Sequence, residues 1–390
     1  MNVMNDSAAL ASILGTSRVI VCVGPGGVGK TSTAASIALS AARCGRRSLV
    51  LTIDPAKRLA NALGLPEIGH VESDVSDDAF RAASLPAPAG RMTAMMLDIK
   101  TAWDEVVARH HPDPSGRQRL LQNRLYVALS TALAGSQEYM AMEKLFELST
   151  RADDPLDLIV LDTPPAEHVI DFLEAPSRML DALDNEATRW LVEPFQASGR
   201  ISKKIFDAGS SFFIRTIARF TGTELLQDLA EMLSEFQGMF EGFRARAQAV
   251  RMLLEAPDTA FAIIGGPRKD ALDAVALFHE RLRQRGARVG MVVFNRVETE
   301  TFGNHPGLDE TALAGYVGAA GGTADLTRRI ARVAEASEAR YREEQARIAA
   351  LLPRLGETQV VCIPELDEDI HDLRGLDVLA RTLFSPGPVG

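Results

Sequence analysis

The run Gly24-Pro25-Gly26-Gly27-Val28-Gly29-Lys30-Thr31 puts four glycines, a lysine and a hydroxyl into eight consecutive positions. Such a run is suited to holding an anion. Glycines let successive backbone N–H groups turn inward around an oxyanion, and a helix that starts just after them adds the positive end of its dipole. The spacing is that of the phosphate-binding P-loop, G-x-x-x-x-G-K-[ST]. In that motif the Lys30 ammonium reaches the β- and γ-phosphates and the Thr31 hydroxyl ligates Mg²⁺. Gly24, Gly26, Gly27, Val28, Gly29, Lys30, Thr31 and Ser32 are therefore the expected phosphate-binding residues.

A P-loop needs a second acidic group for the metal. Asp157-Leu-Ile-Val-Leu-Asp162 supplies four apolar strand residues ending in a carboxylate, the Walker-B pattern, and Asp162 is expected to hold Mg²⁺ through water. The rigid Thr163-Pro164-Pro165 turn that follows is well placed to sense a γ-phosphate. Hydrolysis also needs a group that orients water. Asp54, at the end of the apolar run Leu49–Ile53, is the candidate; on residue type alone it reads equally as a helix N-cap ahead of Pro55-Ala56. Asn295 offers both a donor and an acceptor to an adenine edge, and its competing reading is a turn residue. Pro364 opens a loop that could pack on the base.

These residues must be held by strands and helices. Apolar runs at Arg18–Val23, Ser48–Ile53, Met92–Leu97, Leu156–Leu161, Ala260–Ile264, Val289–Phe294 and Val360–Ile363 read as strands buried on both faces, as in a parallel sheet covered by helices. Ser32–Ala42 reads as the helix after the P-loop. The expected fold is an α/β P-loop NTPase with a mostly parallel central sheet. Two stretches break the alternation: Thr101–Thr150 and Ser177–Ala256 are helical in pattern. Leu326–Leu352, rich in Arg, Glu and Ala, reads as a solvated helix with i,i+4 charge pairs.

The chain has 390 residues, 46% of them hydrophobic and 24% charged, with a formal net charge of −10. That balance opposes a nucleic-acid surface, and no nucleic-acid partner is expected. Cys22, Cys44 and Cys362 are scattered and suggest neither disulfides nor a zinc site. Cys22 and Cys362 lie in apolar runs and read as buried small side chains. No apolar run approaches the ~20 residues of a membrane span, and no basic residue precedes the short apolar run near the N-terminus. The expected location is the cytoplasm.

Gly24–Thr31, Leu51-Thr-Ile-Asp-Pro-Ala56, Leu161-Asp-Thr-Pro-Pro-Ala-Glu-His168, Asn295 and Ile363-Pro364 together resemble the arsenite-pump ATPase family. That family includes the ATPases that deliver tail-anchored membrane proteins, beside the MinD/ParA and nitrogenase iron-protein groups. The resemblance implies ATP and Mg²⁺ as ligands and a dimeric switch that couples the nucleotide state to a partner or hydrophobic client. It implies that Asp54 positions water, that Asp162 to His168 with Thr163 and Pro164 form switch II, and that Asn295 and the Pro364 loop hold adenine. It also implies one ATPase domain over 1–390, with a helical subdomain drawn from 101–150 and 177–256. Three features depart from the family. Pro25 stands where the signature lysine crosses to the partner's phosphates, so hydrolysis by a homodimer is expected to be slow, and a heterodimer with a lysine-bearing relative would restore the charge. The C-x-x-C that clasps the targeting dimers is missing. None of the three cysteines lies in the helical region, which opposes arsenite activation. A nucleotide-binding regulator with negligible turnover and the catalytic subunit of an anion pump are the alternative functions.

In the helical region Met232, Phe236, Met239, Phe240 and Phe243 fall on or near one stripe. It reads either as a groove for varied hydrophobic segments or as the region's own core. His110-His111 before Pro112 reads as an exposed turn rather than a metal pair. His168 is expected to hydrogen-bond the switch or a partner subunit.

Overall fold

The apolar runs all become strands of one sheet. In chain order these are β1 (Val19–Val23), β2 (Arg47–Thr52), β3 (Ser73–Asp74), β4 (Arg91–Met96), β5 (Leu158–Asp162), β6 (Thr259–Gly265), β7 (Val289–Val297) and β8 (Gln359–Pro364). The computed structural model describes residues 7–54, 58–132, 136–163, 228, 231–232, 234–236, 238–300, 310–366 and 368–384. The spatial order is β3-β4-β2-β5-β1-β6-β7-β8. Every pairing is parallel except β3 with β4. Only β3 was not among the expected strands; its two residues pair antiparallel at the sheet edge and are too few to show a period. The register sets Cys22 and Thr52 level with Asp162. The carboxyl ends of β1, β2 and β5 therefore open at one height, where ligands of parallel α/β sheets bind.

Helices cover both faces. Along β1, Val19, Val21 and Val23 enter one core while Ile20 and Cys22 enter the other, as the two-residue period of a strand requires. Helix α1 (Ser7–Thr16) precedes β1, and α2 (Lys30–Arg43) follows the P-loop. The Ala- and Ser-rich α2 is buried at every position from Thr33 to Ala42. Small side chains let it lie close between the sheet and the last helix, and Ser36 Oγ donates to the Leu376 carbonyl at 3.2 Å. Short helices α3 (Arg58–Ala62) and α4 (Asp77–Ala82) lie between β2 and β4.

Helices α5 (Ile99–His110), α6 (Pro114–Gln122), α7 (Arg124–Ala132) and α8 (Ser136–Thr150) form a layer between β4 and β5, joined by α9 (Phe240–Glu255) before β6. Pro114 sits at the start of α6, where its missing N–H costs nothing. Asn123 caps α7, its Oδ1 accepting from Leu125 and Tyr126 N–H at 3.0 and 3.1 Å, and its Nδ2 donates to Asp228 O at 2.8 Å. The layer's centre is aromatic: rings of Trp103, Tyr126, Tyr139, Phe236 and Phe243 meet at centroid distances of 6.0 to 6.3 Å. Met232, Met239 and Phe243 are buried in the same core and Phe236 packs against it. Four of the five stripe residues thus belong to the layer's own core, while Phe240 is half-buried outside it. The remaining helices among the described residues are α10 (Lys269–Gln284), α11 (Glu310–Ala319), α12 (Ala324–Leu355) and α13 (Leu373–Phe384). The solvated reading of α12 holds for most of its length, with Thr327 near its start and Ile348, Leu351 and Leu355 near its end buried.

The His110-His111 expectation is corrected at His111. Its side chain is 3% exposed, with Nε2 3.3 Å from Glu235 Oε2. It pins the end of α5 to the segment before α9 instead of standing in a solvent turn. His110 is half-buried, and burial together with Arg246 and Arg109 pushes its pKa down to about 4.

Two outcomes follow from this layer. Phe243→Ala should cost about 3–5 kcal/mol, the range for deleting a buried aromatic ring, read as a lowered denaturation midpoint. His110 protonates in the unfolded chain near pH 6.5 but in the folded chain only near 4. The unfolded state therefore takes up more protons in that window, and stability falls as pH drops through it. His110→Gln should flatten the decline in melting temperature between pH 6.5 and 4, to a degree reduced by solvent screening.

Candidate nucleotide-binding site

The turn from β1 into α2 is shaped by close backbone approaches. A Cβ at Gly24 would collide with the Ile264 carbonyl of β6, and one at Gly29 with the Asn295 side-chain amide of β7. Gly27 and Gly29 take φ of 76° and 92°, the left-handed region that glycine enters freely. The loop is thereby held against β6 and β7, leaving its N–H groups to a ligand. Asn295 Nδ2 donates to Val28 O at 2.9 Å, fastening the loop to the end of β7. Lys30 begins α2 and donates from Nζ to Pro25 O at 3.0 Å across the loop.

Beneath the loop lies a buried polar knot. Asp162 Oδ2 accepts from Thr31 Oγ1 at 2.7 Å and from Thr52 Oγ1 at 2.9 Å. Thr52 Oγ1 in turn accepts from the Asp54 N–H at 3.2 Å. Thr163 Oγ1 donates to Cys22 O at 2.8 Å, tying the end of β5 to β1. Burial pushes the Asp162 carboxyl up to about 6, opposed by its two hydroxyl donors and by Lys30. Burial likewise lowers Lys30, and the Asp162 charge opposes that shift. Both partners pay for desolvation. The second Asp162 oxygen, Oδ1, is buried without a hydrogen-bond partner.

A cavity of about 660 Å³ opens over this knot. Gly27, Gly29, Lys30, Thr31 and Ser32 form its floor; Asp54 and Thr163 stand on one wall, Asn295 and Arg296 on another. The loop after β8 closes a further side with Glu365, Leu366 and Ile370. Pro364 is the last residue of β8, and the cavity lining on that edge starts at Glu365. Pro164 and His168 lie outside the described residues. Thr52 was missed in the sequence. Its signal is a hydroxyl within the apolar run Leu49–Ile53, two residues before Asp54. Arg296 was missed as well.

The residues fit a triphosphate with a divalent cation. The glycine cradle leaves no room for a Cβ at Gly24 or Gly29. The Thr31 hydroxyl and the buried Asp162 carboxylate, with its unpartnered oxygen, are the hard oxygen donors Mg²⁺ prefers. Among the described residues no cluster of three or more His, Cys, Asp and Glu forms a separate metal site. Among the described residues, too, no helix is long and apolar enough to cross a membrane.

The comparisons with known proteins agree with this geometry. An uncharacterized protein of Streptomyces coelicolor is 28% identical over 284 residues, covering 73% of this chain and 63% of its own. A putative arsenical pump-driving ATPase of Halobacterium salinarum is 27% identical over 59% of this chain and 32% of its own. The ATPase GET3 of Malassezia globosa is 27% identical over 42% of this chain and 44% of its own. The chain thus spans between about a third and just under two thirds of the length of these relatives. Residues 17–306, from β1 past β7, match the anion-transporting ATPase family, and the chain belongs to that family.

Proposed function

We propose that this chain binds Mg·ATP in the cavity over the P-loop and hydrolyses it, acting as a dimeric switch that couples nucleotide state to a protein partner or hydrophobic client. The observation that carries it is the Asp162 carboxylate, gripped by Thr31 and Thr52 directly below Lys30. Lys30 would hold the β- and γ-phosphates and the loop N–H groups would cradle them. Thr31 would ligate the metal, with Asp162 behind it through water. When bound, Mg²⁺ would neutralise the charge that builds on the phosphate oxygens. Asp54, on the wall that it shares with Thr163, would orient the attacking water. Thr163, with Pro164 and His168, would carry the γ-phosphate signal away from the site.

Pro25 favours a slow homodimer. Proline brings no charge and no N–H to a position facing a partner's phosphates, whereas a cation reaching in trans is worth orders of magnitude in rate. A heterodimer with a relative that keeps the lysine would restore that charge. The relatives named for arsenical pumps and the family's anion-transporting name raise the pump reading. Against an arsenical cargo stands the sequence itself, with no cysteine in 101–150 or 177–256. A cytoplasmic site of action goes with the switch reading.

Lys30→Ala should abolish Mg·ATP binding in a titration, and Asp54→Asn should keep the affinity while cutting turnover about a hundredfold or more. A wild-type chain that binds no Mg·ATP would overturn the proposal, and one that binds without measurable turnover would leave the regulator reading in its place. Pro25→Lys should raise turnover by an order of magnitude or more in the homodimer; an unchanged rate would mean that another group supplies the cross-subunit charge.

A further inference from the structure

Strand order gives the cavity a direction. Asp162 and Asp54 follow β5 and β2 on one side of β1, while Asn295 and Arg296 close β7 on the other side. Thr31 and Asp162, hydrogen-bonded to each other, would hold the metal, and with it the terminal phosphates, on the β5 side. A nucleotide whose phosphates sit on the P-loop must then extend its base toward β7 and β8.

At that end the sheet is built irregularly. The β7–β8 register shifts between Phe294 and Val297. Arg296 has φ 59°, a left-handed backbone that L side chains adopt at a cost. The Asn295 side chain holds it there, its Oδ1 accepting from the Arg296 N–H at 3.0 Å, and Glu365 N–H donates to Val297 O at 2.9 Å just beyond. A regular strand would send residues 295 and 296 to opposite faces. The bulge instead turns both to the cavity, the re-aiming that bulges beside active sites perform. Arg296 Nη2 stands 3.8 Å from Asp369 Oδ1, a loose exposed pair that steadies the guanidinium at the mouth without a bidentate grip. On the loop after β8, Leu366 and Ile370 add apolar surface to the same cavity.

We infer that Arg296 is a base-recognition residue, its guanidinium packing on the face of the nucleobase while Leu366 and Ile370 supply the apolar remainder of that subsite. The inference deepens the proposed ATP site and rests on it. A planar, weakly hydrated guanidinium is suited to stacking on a π-face. A contact to a ring face reads purines by shape and not by their edge groups. Its place at the end of β7, on the other side of β1 from Asp162 and Asp54, directs it away from where the terminal phosphates would sit. The strained backbone is what such a contact requires, because a regular strand would withdraw the side chain.

Binding of Mg·ATP, Mg·ADP and Mg·tripolyphosphate to the wild-type chain, Arg296→Ala and Arg296→Gly tests it. Both variants should weaken ATP and ADP by the same factor, about five- to thirtyfold, and leave tripolyphosphate unchanged. Glycine is at ease at this φ, so Arg296→Gly should be no less stable than wild type, and its loss of affinity cannot be assigned to unfolding. Unchanged ATP affinity in both variants would overturn the inference. So would an equal loss for tripolyphosphate, which would make Arg296 a phosphate ligand. A wild-type chain that binds neither ATP nor tripolyphosphate would instead overturn the ATP reading, and the inference with it.

Discussion

The Asp162 carboxylate is the point on which the site's geometry depends. One of its oxygens accepts from Thr31 at the start of α2 and from Thr52 at the end of β2, while its own strand carries it beside β1. Three elements are joined through one atom. The arrangement is costly: the side chain is almost fully buried and its pKa is pushed up to about 6. Lys30 above it is depressed for the same reason. A buried pair of this kind contributes little net stability when its desolvation is counted. In the proposed nucleotide site it would serve as preorganisation, with donors set before a ligand arrives.

The rest of the fold serves to keep that point still. The P-loop is clamped from two sides by contacts only glycine permits, Gly24 against β6 and Gly29 against Asn295 of β7. The amide of Asn295 completes the clamp through Val28 O. The same residue, through its carbonyl oxygen, fixes the turned backbone of Arg296. One side chain thus couples the phosphate end of the cavity to its far wall, and a shift of β7 would be felt at both.

Much of this was legible in the sequence, for identifiable reasons. The seven long strands announce themselves because helices bury both faces, leaving continuous apolar runs. The P-loop and Asp162 announce themselves because the chemistry needs those residue types at fixed spacing. Asp54 at the cavity wall followed from its place after an apolar run. What stayed hidden depends on contacts between distant strands. β3 exists only because β4 offers an edge. Thr52 looks like an ordinary β-branched strand residue until β5 brings Asp162 level with it. His111 looked exposed because its partner, Glu235, lies more than a hundred residues away. The turn at Arg296 cannot be read from residue type, since arginine has no preference for a positive φ; the β7–β8 register imposes it.

The helical layer is joined to the site by its chain connections. Helix α5 starts directly after β4, and α8 leads back into β5, which ends at Asp162. One polar contact joins the layer to the segment before β3, His70 Nε2 lying 3.2 Å from Glu105, while Lys144 Nζ, 3.0 Å from the same carboxylate, and Arg109, 3.0 Å from Glu147, tie α5 to α8 within the layer. Partly exposed pairs of this sort are worth about 1 kcal/mol or less each. Inside the layer the aromatic rings of Trp103, Tyr139 and Phe243 are packed and buried, and each such ring pair adds about 0.5–1.5 kcal/mol beyond the area it buries. The same core continues into the sheet, where Val21, Leu51, Ile159 and Leu161 of β1, β2 and β5 join it. A displacement of β5 that accompanied a change at Asp162 would therefore reach α5, α8 and α9 through the packing that they share with Ile159 and Leu161.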